Sequence, residues 1–126
     1  MTSPNDRRYT ASHEWLKPEG DLVVIGITRF AVDQLTDVTY AELKPAGTKL
    51  QAGDIVAEVE SVKTTSDVYT SVPGEIVEVN GALADDPGVL NSDPYGAGWL
   101  VKIRASDTAP LAALMDAGAY DAANPT

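Results

Sequence analysis

Apolar and polar residues alternate along most of this chain with the period of a half-buried strand, and turn clusters interrupt the alternation every eight to twelve residues or so. Tyr9, Ala11, His13 and Trp15 fall on one side of such a run, with Ser12 and Glu14 on the other, which predicts a strand over 9–16. Lys17-Pro18-Glu19-Gly20-Asp21 reads as a turn, and Leu22-Val23-Val24-Ile25-Gly26-Ile27 as a more buried strand. Thr28 is placed to cap a short helix ending at Leu35. Further strands are expected over 37–43, over 55–59 with Ile55, Ala57 and Val59 on one face, and on a return with Val68, Thr70 and Val72 aligned. After the turn Pro73-Gly74 comes a strand over 75–80, then a polar loop from Gly81 to Gly98. Trp99, Val101 and Ile103 alternate with Lys102 and Arg104 as a half-exposed strand. Pro110 opens a C-terminal helix with Leu111, Leu114 and Met115 on one stripe, capped by Asp107 or Thr108 and weakened later by Gly118. The pattern is that of an all-β barrel or sandwich with helical additions.

Length sets one domain: 126 residues bury a single core but not two. Residues 1–8 are polar and expected to be a flexible N-terminal segment, 9–121 a single domain, and 122–126 a tail. The longest apolar run, Leu22-Val23-Val24-Ile25, is too short to span a bilayer, and no secretory signal is read at the N-terminus. There is no cysteine, which excludes disulfides, thiolate nucleophiles and thiolate metal sites. Net charge is −10, from 19 acidic against 9 basic residues, so a phosphate backbone is a poor partner.

The chemistry concentrates on one lysine. Glu60-Ser61-Val62-Lys63-Thr64-Thr65-Ser66-Asp67 separates two alternating segments that each begin near a glycine, Gly53-Asp54-Ile55-Val56 and Gly74-Glu75-Ile76-Val77. A lysine lifted to the tip of a hairpin is open to an enzyme that attaches a prosthetic group. Alone, such a lysine is far more often a solvated turn residue, because short motifs match by chance. Here 59–69 resembles the lipoyl-attachment region of the glycine cleavage H-protein family. The resemblance continues through Tyr9-Thr10-Ala11-Ser12-His13-Glu14-Trp15, Gly26-Ile27-Thr28, Gly74-Glu75-Ile76-Val77-Glu78-Val79-Asn80 and Asn91-Ser92-Asp93-Pro94-Tyr95-Gly96-Ala97-Gly98-Trp99-Leu100, in order. Thr64-Thr65 and Gly118 depart from the family pattern, away from the attachment chemistry.

The resemblance implies a mainly β, lipoyl/biotinyl-domain-like barrel-sandwich hybrid of two antiparallel sheets, with a short helix after the second strand and a C-terminal helix. It implies lipoic acid covalently attached to Lys63, and no catalytic residues of the chain's own. The implied partners are a pyridoxal-phosphate glycine decarboxylase, a tetrahydrofolate-dependent aminomethyltransferase, a dihydrolipoyl dehydrogenase and a lipoate-attaching enzyme. The arm would carry the aminomethyl group of glycine between the first two and its dithiol to the third, each visit being effectively intramolecular once docked. An aminomethyl group on sulfur loses its carbon readily in water, so a cleft that shelters it is expected, and the resemblance places Ser12, Glu14 and Asp67 there. Glu60 is expected to guide the attaching enzyme. A monomer is expected, in the bacterial cytoplasm, or in the mitochondrial matrix if the chain is a processed form.

Other readings stand beside this one. The bland alternatives are an outward strand acid for Glu14, a turn acid for Asp67 and a solvated hairpin face for Glu60. His13, the only histidine, reads as a strand histidine packed or hydrogen-bonded beside Trp15; without a second histidine or a cysteine no zinc site is expected. No G-x-S-x-G elbow or phosphate-cradling glycine loop is present. A lipoyl or biotinyl module of a larger enzyme usually shows Asp-Lys or Met-Lys-Met rather than Val62-Lys63-Thr64. An unmodified acidic β-barrel acting only as an interaction partner, and a lipoyl relay to other enzymes, remain open at this level.

Overall fold

A computed structural model describes residues 3–124. Among these residues nine strands form two antiparallel sheets. The larger has the order β1-β2-β3-β9-β8-β5, from Arg8–Tyr9, Glu14–Glu19, Leu22–Ile27, Val101–Ala105, Gly74–Val79 and Lys49–Leu50 respectively. The smaller has the order β4-β6-β7, from Val38–Leu43, Ile55–Ser61 and Thr65–Tyr69. This is a barrel-sandwich of two sheets. Ala57, Val59, Val68, Val72 and Ile103 meet between them as alternation predicts, buried with Leu16, Ile25 and Ile76, whereas Ile55, expected on the face of Ala57 and Val59, is turned outward by a register shift between Ile55 and Ala57. No helix among the described residues is long and apolar enough to cross a membrane.

Helix α1 (Arg29–Leu35) forms where Thr28 predicts it, with the Thr28 side chain accepting from Ala31 N at 3.2 Å. It buries Val32 and Leu35 against the main core. Its end is strained. Thr36 closes it at φ 62°, ψ −135°, a region that side-chain-bearing residues rarely enter.

Three expectations need correction here. The strand over 9–16 is two strands, because residues 10–13 fold into a turn: Thr10 N donates to Glu14 O at 3.0 Å and His13 adopts φ 71°. The polar loop over 81–98 contains two one-turn helices, α2 (Ala82–Asp85) and α3 (Val89–Ser92), which press Leu83 and Leu90 into the core. The C-terminal helix does not start at Pro110. A 3-10 turn covers Ala109–Ala113, Met115 pairs with Tyr9 as an isolated bridge, and helix α4 (Ala117–Ala123) follows, capped by Asp116. Residues 3–8, expected as a separate N-terminal segment, make contacts with the domain. Ser3 Oγ donates to Asp121 at 2.6 Å, and the Arg7 guanidinium lies 4.5 Å from the Trp15 ring centre while donating to Tyr95 O. The ends of that expected segment and of the tail, 1–2 and 125–126, lie outside the described residues.

A second small core locks this region to β2. Tyr9 stacks on Tyr120 of α4 with ring centres 4.9 Å apart, beside Trp15 and Val24. Trp15 lies directly across from Gly26, where any Cβ would overlap the indole, so glycine is what permits the ring to sit flat on β3.

Candidate functional site

The hairpin joining β6 to β7 carries Lys63 at its tip, exposed. The tip is rigid for local reasons. Ser61 N donates to Thr64 O at 2.8 Å, and the Ser61 hydroxyl accepts from Thr64 N at 3.1 Å and from Lys63 N at 3.3 Å. Val62 N donates to Asp37 O at 3.1 Å, which fastens the tip to the strand entering β4. Lys63 forms no ion pair among the described residues.

Beside the tip lies a cleft of about 470 Å³ between β7 and α1. Ile27, Ala31, Leu35, Val59 and Val68 give it apolar walls. Ser12, His13, Glu14 and Asp67 are among its polar residues, with Thr64, Thr65 and Ser66 of the hairpin, and Lys63 also lines it. The residues expected around the arm therefore line one space.

Glu14 is unusual among them, because it is 1% exposed. A buried carboxylate is costly unless its lone pairs are satisfied. One oxygen accepts from Ser12 Oγ at 2.7 Å and from Thr10 Oγ1, and the other accepts from Tyr69 N at 3.3 Å. Tyr69 N points off the free edge of β7, so Glu14 also closes a strand edge. All three donors are neutral, and no cation pairs with this carboxylate among the described residues. The outward strand acid is excluded; Glu14 is a buried acid facing a cleft. Asp67 is exposed at the rim, directly opposite Glu58 across β6 and β7. Glu60 is exposed opposite Thr65, next to the hairpin and outside the cleft.

His13 corrects a second expectation. It does not pack beside Trp15 as a strand residue but sits in the turn, with its ring 4.5 Å from that of Phe30. Its Nδ1 lies 2.7 Å from the Tyr120 hydroxyl, which lies 2.7 Å from Thr28 Oγ1. Burial pushes the imidazole below its ordinary 6.5, against a weaker opposing pull from Glu14. Burial pushes Tyr120 up to about 12, opposed by its hydrogen bond with Thr28, so the hydroxyl keeps its proton. The chain His13–Tyr120–Thr28, with the Tyr120 hydroxyl in the middle, joins the turn at 10–13 and α4 to the cap of α1 beside the cleft. Gln34 also lines the cleft. Sequence reasoning missed Gln34, Thr10 and Tyr120 as site residues; only the four-residue spacing of Thr10 and Glu14 hinted at a local pair.

The arrangement suits a long aliphatic arm on Lys63 that folds back along apolar walls and ends near carboxylates. An exposed amine at the cleft edge, a wall of side chains without charge, and a buried acid lacking a cation are the features such an arm requires.

Comparison with known proteins gives the following. The family model described as glycine cleavage H-protein matches residues 7–125. The glycine cleavage system H protein of Chlorobium limicola is 54% identical over 122 residues, covering 95% of both chains. That of Thermus thermophilus is 52% identical over 120 residues, covering 95% of this chain and 94% of the relative. The crystal structure of a glycine cleavage system H protein from Mycobacterium marinum superposes with a TM-score of 0.89 at 40% identity, over 98% of this chain and 100% of that one.

Proposed function

The chain belongs to the glycine cleavage H-protein family, the non-catalytic lipoyl carriers of the glycine cleavage system, and on that premise we propose that Lys63 bears the lipoyl group and that the adjacent cleft shelters the loaded arm. Lipoate, once joined, supplies a disulfide able to take up the aminomethyl carbon of glycine together with two electrons, and to be reoxidised later. Everything else falls to the chain's own residues.

Lys63 presents its amine at a tip fixed by Ser61, so the attachment point does not wander. Ile27, Leu35, Val59 and Val68 exclude water from the folded arm. Glu14 and Asp67 hold the amine of the cargo in its charged form, since a nearby carboxylate favours an ammonium. Ser12 keeps Glu14 aimed into the cleft through its 2.7 Å hydrogen bond. The cargo passes from the glycine decarboxylase to the tetrahydrofolate-dependent aminomethyltransferase, and the dithiol then goes to dihydrolipoyl dehydrogenase. A monomer in the bacterial cytoplasm fits the bacterial relatives and the need to exchange partners in turn.

One observation carries this reading: an exposed amine shares a cleft with a buried carboxylate whose hydrogen-bond donors are all neutral. The test is glycine–bicarbonate exchange reconstituted with the decarboxylase, comparing lipoylated protein with Lys63→Ala. Exchange is expected to vanish in the variant together with the lipoyl mass increment. Activity with Lys63→Ala refutes the carrier role.

A further inference from the structure

The outward face of β4-β6-β7 differs in kind from the rest of the described surface. The large apolar side chains left exposed are Tyr40, Ile55, Val62 and Tyr69, at 47%, 38%, 66% and 40%. All four belong to this sheet or its hairpin, and Ile55 directly opposes Tyr69. Across the same face runs a row of carboxylates, in which Glu42 opposes Glu58 and Glu58 opposes Asp67. Like charges directly opposed on neighbouring strands are destabilising. None of the three forms an ion pair among the described residues; the ion pairs present belong to the N-terminal segment and to the six-stranded sheet with its turns. Lys44 borders the same hollow without pairing with them. This face thus combines unpaired negative charge with uncovered apolar area, next to Lys63.

We propose that this face is the footprint of the enzyme that acylates Lys63, and that it meets a surface with an apolar centre and a basic rim. The proposal rests on Lys63 being the attachment site. Charge complementarity selects the chemistry of the partner. Reach selects which partner it is. An enzyme acting on the far end of a long arm can stand away from the hairpin, whereas the enzyme that makes the amide must seat the lysine itself. In that step the amine attacks the acyl carbon of an acyl adenylate made from lipoate and ATP. The C–N bond forms as the C–O bond to phosphate breaks, AMP leaves with the bonding pair, and the amine's proton passes to solvent. At about 3.3 Å per residue, Glu60 back to Ile55 spans roughly 16 Å, so this face supplies the part of the interface nearest the lysine.

The experiment uses the full apo-chain with a purified ATP-dependent lipoate ligase, lipoate and ATP, read by intact mass at several concentrations of the chain. Glu58→Gln is expected to raise KM about threefold or more with kcat unchanged, and Glu42→Lys about tenfold, both differences shrinking as salt is added. Glu58→Gln is also expected to raise the melting temperature, because it breaks the row of like charges. Stability and recognition moving in opposite directions distinguish docking from a structural role. Tyr40→Ala with Tyr69→Ala is expected to raise KM in a manner insensitive to salt, and Asp21→Asn on the other sheet to leave KM unchanged. Normal lipoylation of the unaltered chain with an unchanged KM in the face variants overturns the footprint alone. A KM effect seen only with the decarboxylase and preloaded chain likewise overturns it. A native chain that takes up no lipoate overturns the attachment reading beneath it.

Discussion

Replacing Glu14 separates its hydrogen bonding, shown by its three donors, from the role proposed for its charge. In Glu14→Ala the Thr10 and Ser12 hydroxyls, already 3.3 Å apart, can turn to each other. Tyr69 N has no such substitute and loses a hydrogen bond to a carboxylate, worth about 1.5–3 kcal/mol. Loss of one buried methylene adds about 0.8 kcal/mol. Relief of the buried charge offsets part of this, leaving a destabilisation of about 2 kcal/mol and a melting temperature lower by roughly 8 °C. Glu14→Gln keeps the volume. Its amide oxygen can accept from Tyr69 N, and its NH2 can donate to the two hydroxyl oxygens, which rotate to receive it. Stability should therefore fall by less than about 1 kcal/mol. Retention of the cargo should follow charge instead. Both variants remove the counter-charge to the arm's ammonium, a charge-assisted contact worth about 1.5–3 kcal/mol, so each should shed its cargo on the order of 10–100 times faster. Urea denaturation measures the first quantity. A time course of intact mass after loading with the decarboxylase measures the second. Lipoylation itself should be unaffected. Loaded Glu14→Gln decaying at the rate of the unaltered chain would refute the role assigned to the carboxylate.

Two further outcomes follow from strain and burial near the cleft. Thr36→Gly should raise stability by about 1 kcal/mol, near 4 °C in a thermal melt, because glycine adopts φ 62°, ψ −135° without the side-chain penalty; an unchanged or lower midpoint contradicts this. His13 binds its proton less readily folded than unfolded, so the stability present in full above pH 6.5 drains as pH falls from there through the depressed folded value. The melting temperature of His13→Gln should accordingly lose less than that of the unaltered chain over that window, and a difference between the two that does not vary with pH refutes the assignment.

Much of the architecture was legible because short-range rules governed it. Leu22–Ile27 forms a strand where an apolar run between turns predicts it, Gly74–Val79 matches the strand expected over 75–80 within a residue, and Thr28 caps α1. The hairpin was legible from two glycine-led segments on either side of Lys63. The failures share a cause. Where β2 is covered on both faces, alternation ceases to report burial: Trp15 enters the small core with Tyr9 and Tyr120, while Glu14 beside it is buried at the cleft. Leu111, Leu114 and Met115 have helical spacing, yet Met115 is taken by a bridge to Tyr9. The true helix start, Asp116 before Ala117, was masked by the poor propensity of Gly118, which tertiary packing of Tyr120 overrides. Glu14's burial depended on a turn at 10–13 and on a strand edge more than fifty residues away, and neither is written in local spacing.

The two sheets divide the work of a carrier. The six-stranded sheet is knitted to both chain ends, through Tyr9 on Tyr120, Ser3 on Asp121 and Arg7 on Trp15, and it holds the cross-strand ion pair Lys102–Glu78. The three-stranded sheet carries Lys63, the unpaired row Glu42–Glu58–Asp67 and the exposed apolar residues Tyr40, Ile55 and Tyr69. A surface that must bind and release partners in turn can hold neither all its charges paired nor all its apolar area covered, since either would leave nothing for a partner to complete. The cost in stability falls on the smaller sheet, and Glu14 limits it by binding the free edge of β7 from the larger one. The same side chain that steadies the smaller sheet thereby faces the cleft proposed to hold the cargo's amine, and on that proposal its removal should be felt both in the melt and in the lifetime of the cargo.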